Sequence, residues 1–305
     1  MMISKGKEVI SEDAQMIHEM QRCRQMVDER LHEQFAEAGT NYATLVESMR
    51  YSLLSGGKRI RAIICMKFCE AVGGRVEDAL DAACAVEMLH TYTLIHDDLP
   101  IMDGDDLRRG RPSNHVEFGE FTATLAGDAL QAAAFEMLTH AQVSSEAVVE
   151  MVRILAEAAG PHGICGGQFL DLSGEGWQLT IDELLELCSM KTAALVAAAA
   201  KMGVISGYGT KEQIEAADMY AQSIGLAFQI RDDVLDCIST SEELGKPIGS
   251  DEENEKTTFV SLLGVSACEK MIKKETDKAV AAIDGKVANK EFLTWLAHIL
   301  ANRSK

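Results

Sequence analysis

Residues 81–95 of the chain read Asp81-Ala-Ala-Cys-Ala-Val-Glu-Met-Leu-His-Thr-Tyr-Thr-Leu-Ile95. This segment is apolar nearly all round, which is typical of a helix buried at the centre of a helical bundle. Elsewhere apolar residues recur at spacings of three and four, as in Met16, Met20, Cys23, Val27, Leu31 and Phe35. Alternating segments bounded by turn residues, which would indicate strands, are essentially absent. The sequence therefore predicts one all-α domain over residues 1–305.

Two aspartate clusters each follow an apolar, helix-like run. The first reads Asp97-Asp98-Leu-Pro-Ile-Met-Asp103 and the second reads Asp232-Asp233-Val-Leu-Asp236. Carboxylates placed together against apolar surface repel one another and lose solvation, so the arrangement is costly unless cations neutralise it. Oxygen ligands of this kind suit Mg²⁺, which keeps several waters and often bridges to a substrate phosphate. A solvated acidic helix end is the alternative, but paired clusters favour a polyphosphate site.

The spacing inside the clusters differs. Asp232, Asp233 and Asp236 stand at i, i+1 and i+4, so on one helix all of them can address one cleft. Asp103 is six residues past Asp97, which on a continuous helix would turn it away. Because a proline at position 100 removes an N–H and clashes with the preceding turn, the helix must bulge or break there. Such a break would bring Asp103 back beside Asp97.

Basic residues form the second component of the pattern. In Gly56-Gly57-Lys58-Arg59-Ile60-Arg61 the basic residues follow a glycine pair, and Arg108-Arg109-Gly-Arg111 follows the first aspartate cluster. Lysine and arginine flanked by glycine suit phosphate, since the backbone can come close and guanidinium groups bind oxygens bidentately. No GxxxxGK[ST] motif or parallel-sheet pattern occurs, which excludes a P-loop. The alternative is an ordinary basic surface patch.

Composition narrows the class of protein. The chain has 305 residues and a formal net charge of −19, which argues against nucleic acid and anionic membrane as partners. No N-terminal signal is visible, and the longest apolar run, residues 192–200, is too short to span a bilayer. The eight cysteines are scattered without a CxxC pair. Reduced thiols in a cytoplasmic protein are the expectation.

The motifs described above, together with several others, point to a known family. They are the two aspartate clusters and both basic segments, with Gly166-Gly-Gln168-Phe-Leu-Asp171, Lys191-Thr192, Phe228-Gln-Ile-Arg, Gly245-Lys246-Pro, Glu255-Lys256-Thr and the basic end Asn302-Arg303-Ser-Lys305. In order and spacing over almost the whole length, the chain resembles the trans-isoprenyl diphosphate synthases, and most closely the bacterial farnesyl diphosphate synthases. The resemblance implies a single large helical bundle around a central cavity, usually a homodimer.

The resemblance also implies roles for individual residues. About three Mg²⁺ ions, for which Mn²⁺ would substitute, are expected at Asp97, Asp103 and Asp232, with Asp98, Asp233 and Asp236 as further or indirect ligands. An allylic diphosphate would bind these ions together with Arg108, Lys191, Lys246 and Lys256. Isopentenyl diphosphate would be held without metal by Lys58, Arg61, His90 and Arg109. Thr192, Gln229 and Lys191 would face the developing allylic cation.

Product length is expected to depend on Tyr92. It lies five residues before Asp97, which on a helix is about 7.5 Å, near where a growing prenyl tail would meet a wall. In the family a bulky residue at this position accompanies a C15 product, here (2E,6E)-farnesyl diphosphate. The alternative is a core aromatic whose hydroxyl finds a partner elsewhere.

Three functions are alternatives to farnesyl diphosphate synthesis. The same chemistry with geranylgeranyl diphosphate as product is the nearest rival. A terpene cyclase needs no basic site for isopentenyl diphosphate, so the basic segments argue against it. A regulatory subunit of a heteromeric synthase typically loses one aspartate motif, whereas here both are intact. The chain departs from the family at Arg231, where a neutral residue is common; on a helix it is expected to point out of the cleft, pair with a surface acid and be dispensable.

Overall fold

The structure is a computed structural model that describes residues 11–36, 40–174, 176–238 and 256–303. These residues are almost entirely helical, which confirms the all-α prediction. The helices are α1 (Glu12–Gln34), α2 (Ala43–Leu53), α3 (Ile60–Ala71), α4 (Leu80–Asp97), α5 (Asn114–Phe118), α6 (Glu120–Leu138), α7 (Ser145–Ala159), α8 (Ile164–Ser173), α9 (Ile181–Cys188), α10 (Ala194–Ser206), α11 (Lys211–Ile238), α12 (Phe259–Leu263), α13 (Val265–Ile283) and α14 (Glu291–Ala301).

Helix α4 lies at the centre of the bundle, as the apolar segment predicts. It packs against α3, α6 and α10, and most of its side chains are buried on every face. Helix α10 is equally surrounded, by α3, α7 and α11. At the periphery α1 buries one stripe, Cys23, Val27 and Leu31, at the predicted spacing. Burial of these apolar faces is the main term that stabilises such a bundle.

Helix α11 carries the second aspartate cluster and joins two apolar cores. Its first half packs with α10 in the main core, whereas Ile230 and Val234 belong to a smaller core with α9, α12 and α13. Phe259, the first residue of α12, is fully buried in that smaller core. The segment beginning at residue 256 is therefore fixed against α11 near the aspartates.

Two local features of the described chain are not regular α-helix. The charged loop after the first cluster is a small antiparallel hairpin of β1 (Leu107–Arg108) and β2 (Arg111–Pro112). Its turn residues, Arg109 and Gly110, both have positive φ. Between α9 and α10, Ser189–Ala193 forms a π-helical turn rather than a helix start.

One helical stretch, Ile181–Ser206, is apolar and long enough to cross a membrane by composition and length alone. It comprises α9, the π turn and α10, so it is longer than the apolar run visible in the sequence. Of its apolar window, 67% is buried inside the bundle. A core helix passes the same test, and this degree of burial is what a core helix shows.

Candidate active site

Asp97 and Asp103 lie together at the broken end of α4. The backbone N–H of Asp103 donates to the carbonyl oxygen of Asp97 at 2.9 Å, so the chain reverses after the helix as the proline predicts. Burial, together with Asp103 and Asp98, raises the pKa of Asp97 to about 6, against the lowering effect of Lys191 and Arg108. Asp97 is thus a half-buried carboxyl that its cationic neighbours only partly neutralise.

Asp98 has a different environment, although it is the next residue. Its side chain is almost fully buried and accepts a hydrogen bond from Nε of Arg108 at 2.9 Å. Arg108 also pairs with Asp105 at 3.2 Å. Arg109, in the turn of the hairpin, instead donates to Ser55 Oγ at 3.3 Å. On the hairpin, the Arg108 side chain therefore contacts the first aspartate cluster, whereas the Arg109 side chain contacts the basic loop.

The basic loop, Gly56–Arg61, precedes α3. Arg59 is buried and paired with Asp28 at 2.9 Å and Glu87 at 3.2 Å, so it fixes the loop. Gly57 has a φ of +122°, and a Cβ there would lie 2.8 Å from a terminal nitrogen of Arg109. The glycine thus makes room for the Arg109 guanidinium as well as for a strained backbone.

A cavity of about 380 Å³ opens between this loop, α4, α11 and the end of α14. Its polar lining is mostly cationic and includes Lys58, Arg61, His90, Arg109 and Arg303. The predicted group for isopentenyl diphosphate is thus brought together. Burial, Arg61 and Arg109 hold the pKa of His90 well below its ordinary value, so the imidazole is neutral at pH 7.

The donors in this cavity exceed its acceptors. Within the described part of the chain, Nε of Arg61 and Nε of Arg303 are buried without a hydrogen-bond partner. Burial lowers the pKa of Arg61, Arg109 and Arg303 from the ordinary arginine value, and neighbouring arginines lower it as well, against the opposite effect of nearby acids. Buried donors of this kind are normally satisfied. An anion with several oxygens would satisfy them.

A second cavity, of about 180 Å³, lies beside the first and shares Thr192 with it. Asp171 of α8 is central there: its carboxylate accepts from Nζ of Lys191 and lies 3.5 Å from Nζ of Lys256. Burial acts to raise the pKa of Asp171, but the two lysines more than offset it and the pKa is lowered. Lys256 also lies 3.6 Å from Asp103, which connects this cavity to the first cluster.

The π turn sets the geometry between the cavities. Thr192 Oγ1 donates to Gln229 Oε1 at 3.1 Å, and Gln229 Nε2 donates to Asp233 Oδ1 at 3.1 Å. A Cβ on Gly167 would lie 2.5 Å from the backbone nitrogen of Lys191, so only glycine lets α8 approach the turn this closely. Thr192 and Gln229 therefore lie together beside Lys191; that these residues face a developing cation stays a prediction.

The second cluster divides its carboxylates between different partners. Asp232 pairs with Arg303 and is 43% exposed, whereas Asp233 is buried and accepts from the backbone N–H of Phe259 at 2.8 Å. Asp236 is half-buried one turn further along α11. The start of α12 takes one carboxylate oxygen of Asp233, which also lines the second cavity. That the aspartates of this cluster address one cleft stays a prediction.

Metal binding stays a prediction. In the part of the chain that the structure describes, no group of three or more His, Cys, Asp or Glu side chains is close enough to hold an ion. The assignments of Asp97, Asp98, Asp103, Asp232, Asp233 and Asp236 are therefore not tested by the geometry. Lys246 lies outside the described residues.

Tyr92 is buried on α4, and its hydroxyl lies 3.4 Å from Sγ of Cys165 on α8. Its ring meets His96 edge-on, with centroids 5.5 Å apart. Burial and the contact with Cys165 raise the pKa of the Tyr92 hydroxyl. The ring therefore lies between α4 and α8, held from both sides.

The reasoning from sequence left out two residues that belong to the site. Asp171 and Arg303 lie in motifs that carry the family resemblance, but neither was given a role; their adjacency to Lys191 and Asp232 depends on long-range packing. Arg231 points away from both cavities and pairs with the 44% exposed Glu269, as expected, but its own side chain is only 11% exposed. The exposed-pair argument for its dispensability therefore fails.

Comparison with known proteins agrees with this geometry. A family model described as "Polyprenyl synthetase" matches residues 42–294. The chain is 42% identical to farnesyl diphosphate synthase of Bacillus subtilis, over 85% of this chain and 89% of that protein. It is 45% identical to "Heterodimeric geranylgeranyl pyrophosphate synthase large subunit 2" of Arabidopsis thaliana, over 85% of this chain and 70% of that protein.

Among solved structures, an FPP/GFPP synthase from Zymomonas mobilis superposes with a TM-score of 0.85 at 34% identity, covering 94% of this chain and 99% of that one. Relatives named for farnesyl and for geranylgeranyl products thus both match, so the family is fixed more firmly than the product. The fold, the shared motifs and the matched length lead to one conclusion: the chain belongs to the polyprenyl synthetase family of prenyltransferases.

Proposed function

We propose that the chain is a Mg²⁺-dependent (2E,6E)-farnesyl diphosphate synthase. It would condense isopentenyl diphosphate head-to-tail with dimethylallyl and then geranyl diphosphate. The allylic C–O bond breaks and diphosphate leaves with the electron pair. The alkene of isopentenyl diphosphate then attacks the cation, and the C2 proton passes to the released diphosphate.

The cationic cavity is the observation that carries this proposal. Arg61 and Arg303 each present a buried Nε without a partner in the described residues, beside Lys58 and Arg109. A diphosphate offers several anionic oxygens to such donors without needing a metal. A terpene cyclase would have no use for this cavity, because it takes only one diphosphate substrate.

The donor set at the first cluster fits a divalent cation. Asp97 and Asp103 would supply hard oxygen ligands, and the half-buried Asp97 is only partly neutralised by the chain's own cations. Asp97, Asp103 and Asp232 would hold Mg²⁺, with Asp98, Asp233 and Asp236 supporting them. Bound Mg²⁺ would stabilise the negative charge that grows on the leaving diphosphate.

The second cavity provides the cations for the allylic diphosphate. Lys191 and Lys256 converge on Asp171, which keeps both ammonium groups in place before substrate binds. Arg108 and Lys246 are proposed as further contacts. The hydroxyl of Thr192 and the amide of Gln229 lie where the two cavities meet, so they would face the cation. The apolar walls around them would exclude water, which would quench the cation.

The farnesyl product is supported by the position of Tyr92. Its ring fills the space between α4 and α8 about one and a half turns before Asp97. Geranylgeranyl diphosphate remains the second candidate, because similar plant proteins carry that name. A regulatory subunit is disfavoured, since both aspartate clusters are intact.

A homodimer of single-domain subunits in the cytoplasm completes the proposal. Phe121 and Leu125, one turn apart on α6, are 76% and 50% exposed, and Val116 of the adjacent α5 is 50% exposed. An apolar face of this kind is unusual on a monomer. A second copy would cover it, and Phe121→Asp should shift the mass in light scattering from dimer to monomer.

One incubation tests the activity. The chain is supplied with labelled isopentenyl diphosphate and dimethylallyl diphosphate, with Mg²⁺ or with excess chelator, and the prenyl products are separated by length. We expect C15 product with Mg²⁺ and none with chelator. Product of C20 would favour the geranylgeranyl alternative, and no product with any primer would contradict the proposal.

A further inference from the structure

Two arginines connect α11 to the carboxyl-terminal end of α14. Nε of Arg231 donates to the carbonyl oxygen of Ala301 at 2.7 Å, and its terminal nitrogens donate to Glu269 at 2.7 and 2.8 Å. Ala301 is the last residue of α14, where carbonyl groups have no partner inside the helix. Arg231 therefore fixes the end of α14 to α11 and α13 at once.

Arg303 follows only two residues later and returns to α11. Its guanidinium lies over the Phe228 ring at 3.8 Å, donates to the Phe228 carbonyl at 3.4 Å and pairs with Asp232. Phe228 and Asp232 are four residues apart, so they share a face of α11. Through this contact Arg303 becomes part of the lining of the 380 Å³ cationic cavity.

We propose that Arg231 is a positioning residue that holds Arg303 in the cationic cavity for an alkenyl diphosphate bound without metal. The inference rests on the proposed function, because Arg303 matters only if that cavity takes a diphosphate. Arg231 itself does not line the cavity, so it acts through the backbone of Ala301.

The physical reason is preorganisation. Arg303 stands just beyond the end of a helix, where chains fray, and a long side chain loses several rotamers when it is ordered. The carbonyl anchor at Ala301 fixes the start of this short segment before substrate arrives. Without the anchor, Arg303 would have to be ordered during binding, and part of the binding free energy would be lost.

The arrangement requires arginine rather than any cation. Nε serves Ala301 while the two terminal nitrogens serve Glu269, so one planar group makes both contacts. The ammonium of lysine cannot reproduce this geometry. Arg231→Lys should therefore behave like a loss of the anchor, even though it keeps the charge. Glu269→Gln leaves the Nε contact in place and should have a smaller effect.

The test measures isopentenyl diphosphate binding to the full chain in excess chelator by calorimetry, together with KM for both substrates under Mg²⁺. Arg303→Met should weaken binding about 10- to 100-fold, the range for a hydrogen bond to a charged group. Arg231→Met and Arg231→Lys should weaken it about 3- to 30-fold and raise KM for isopentenyl diphosphate more than for the allylic substrate. The double variant, Arg231→Met with Arg303→Met, should bind no more weakly than Arg303→Met alone.

Arg153→Met is the matched control, because Arg153 is an exposed arginine that also pairs with two acids, Glu150 and Glu157. It should bind isopentenyl diphosphate as the wild type does. Equal binding by wild type and both Arg231 variants would overturn the inference, as would fully additive losses in the double variant. If Arg231→Met fails to fold, Arg231→Lys decides.

The outcome also separates this inference from the proposed function. A wild-type chain that neither binds nor condenses isopentenyl diphosphate contradicts both. A wild-type chain that does both, with Arg231 variants that are unchanged, contradicts only the role of Arg231. A general structural effect would lower the melting temperature and raise both KM values equally, which would also overturn the positioning role.

Discussion

The two aspartate clusters have similar sequences but different backbone conformations. The first breaks its helix, and the reversal brings Asp103 to Asp97. The second stays on the continuous helix α11, where neighbouring residues project about 100° apart. In both clusters the second aspartate is buried and held by the protein, Asp98 by a guanidinium and Asp233 by a backbone N–H.

The difference shows what each cluster needs from the fold. At the first cluster, convergence comes from the turn, and cations from other elements surround it. At the second, Asp232 pairs with Arg303 of the cationic cavity, whereas Asp233 lines the second cavity, accepts the first N–H of α12 and so fixes the segment that carries Lys256. Neighbouring carboxylates of one short acidic motif thus have different partners in the fold.

The largest expected effect on activity follows from the loss of Asp97 or Asp232, the proposed metal ligands. Asp97→Asn and Asp232→Asn should each lower kcat by at least ~10²-fold, because stabilisation of the leaving diphosphate is lost. Initial rates under saturating Mg²⁺ measure this. The control is Asp106→Asn, whose side chain is 85% exposed on the hairpin loop and should keep normal activity. Equal activity of all the variants would remove the metal mechanism.

Asp97→Asn should also stabilise the metal-free protein. The folded-state pKa of Asp97 is raised from 3.8 to about 6, so between these values the folded state binds more protons than the unfolded state. The free energy of unfolding therefore falls as pH rises through that window, by about 3 kcal/mol at most. Asp97→Asn should remove this slope and unfold at higher denaturant concentration at pH 7. Metal-free urea titrations at pH 4 to 8 test it; an unchanged slope would mean that Asp97 is adequately paired.

Loss of Asp233 should destabilise the fold more than loss of Asp232, whereas loss of Asp232 should affect the rate. Asp233→Ala leaves the Phe259 N–H and the Gln229 amide without their acceptor and should lower the free energy of unfolding by about 1–3 kcal/mol. Asp232→Ala removes a half-exposed pair and should lower it by less than about 1 kcal/mol. Denaturant unfolding without metal compares the two. A larger loss for Asp232 would reverse the comparison.

A smaller effect is expected at the basic loop. Lys58→Ala should raise KM for isopentenyl diphosphate about 10-fold and leave KM for the allylic substrate nearly unchanged, because one charge-assisted hydrogen bond is lost. Lys273→Ala, an exposed lysine of α13, serves as control. An effect confined to the allylic substrate would exchange the assignments of the two cavities.

Much of this arrangement follows from local sequence. The spacing of apolar residues predicted the face of α1 and the burial of α4, and the proline predicted the reversal to Asp103. These features depend on neighbours within a few residues, where helix geometry is nearly fixed.

What the sequence could not provide depends on distant elements. The π turn at Lys191 requires the close approach of α8 through Gly167. Arg231 was expected at the surface because α11 alone places it away from the cleft. Its burial comes from Glu269 and Ala301, which are 38 and 70 residues away in sequence. A periodicity argument contains no information about which helix will cover a given face.

The smallest expected change in rate, and the one most specific to the first cluster, concerns Tyr92. Five residues before Asp97 stands this aromatic ring, whereas five residues before Asp232 stands the small Ala227. If the prenyl tail runs back along α4 and not along α11, Tyr92→Ala should shift the product from C15 towards C20 or longer while turnover stays within a few-fold. Cys165→Ala, which removes only the contact to the Tyr92 hydroxyl at 3.4 Å, should leave the ring in place and keep mostly C15. Chain-length analysis of products from both variants measures this. A folded Tyr92→Ala enzyme that still makes only C15 would place the end of the pocket on a facing helix instead.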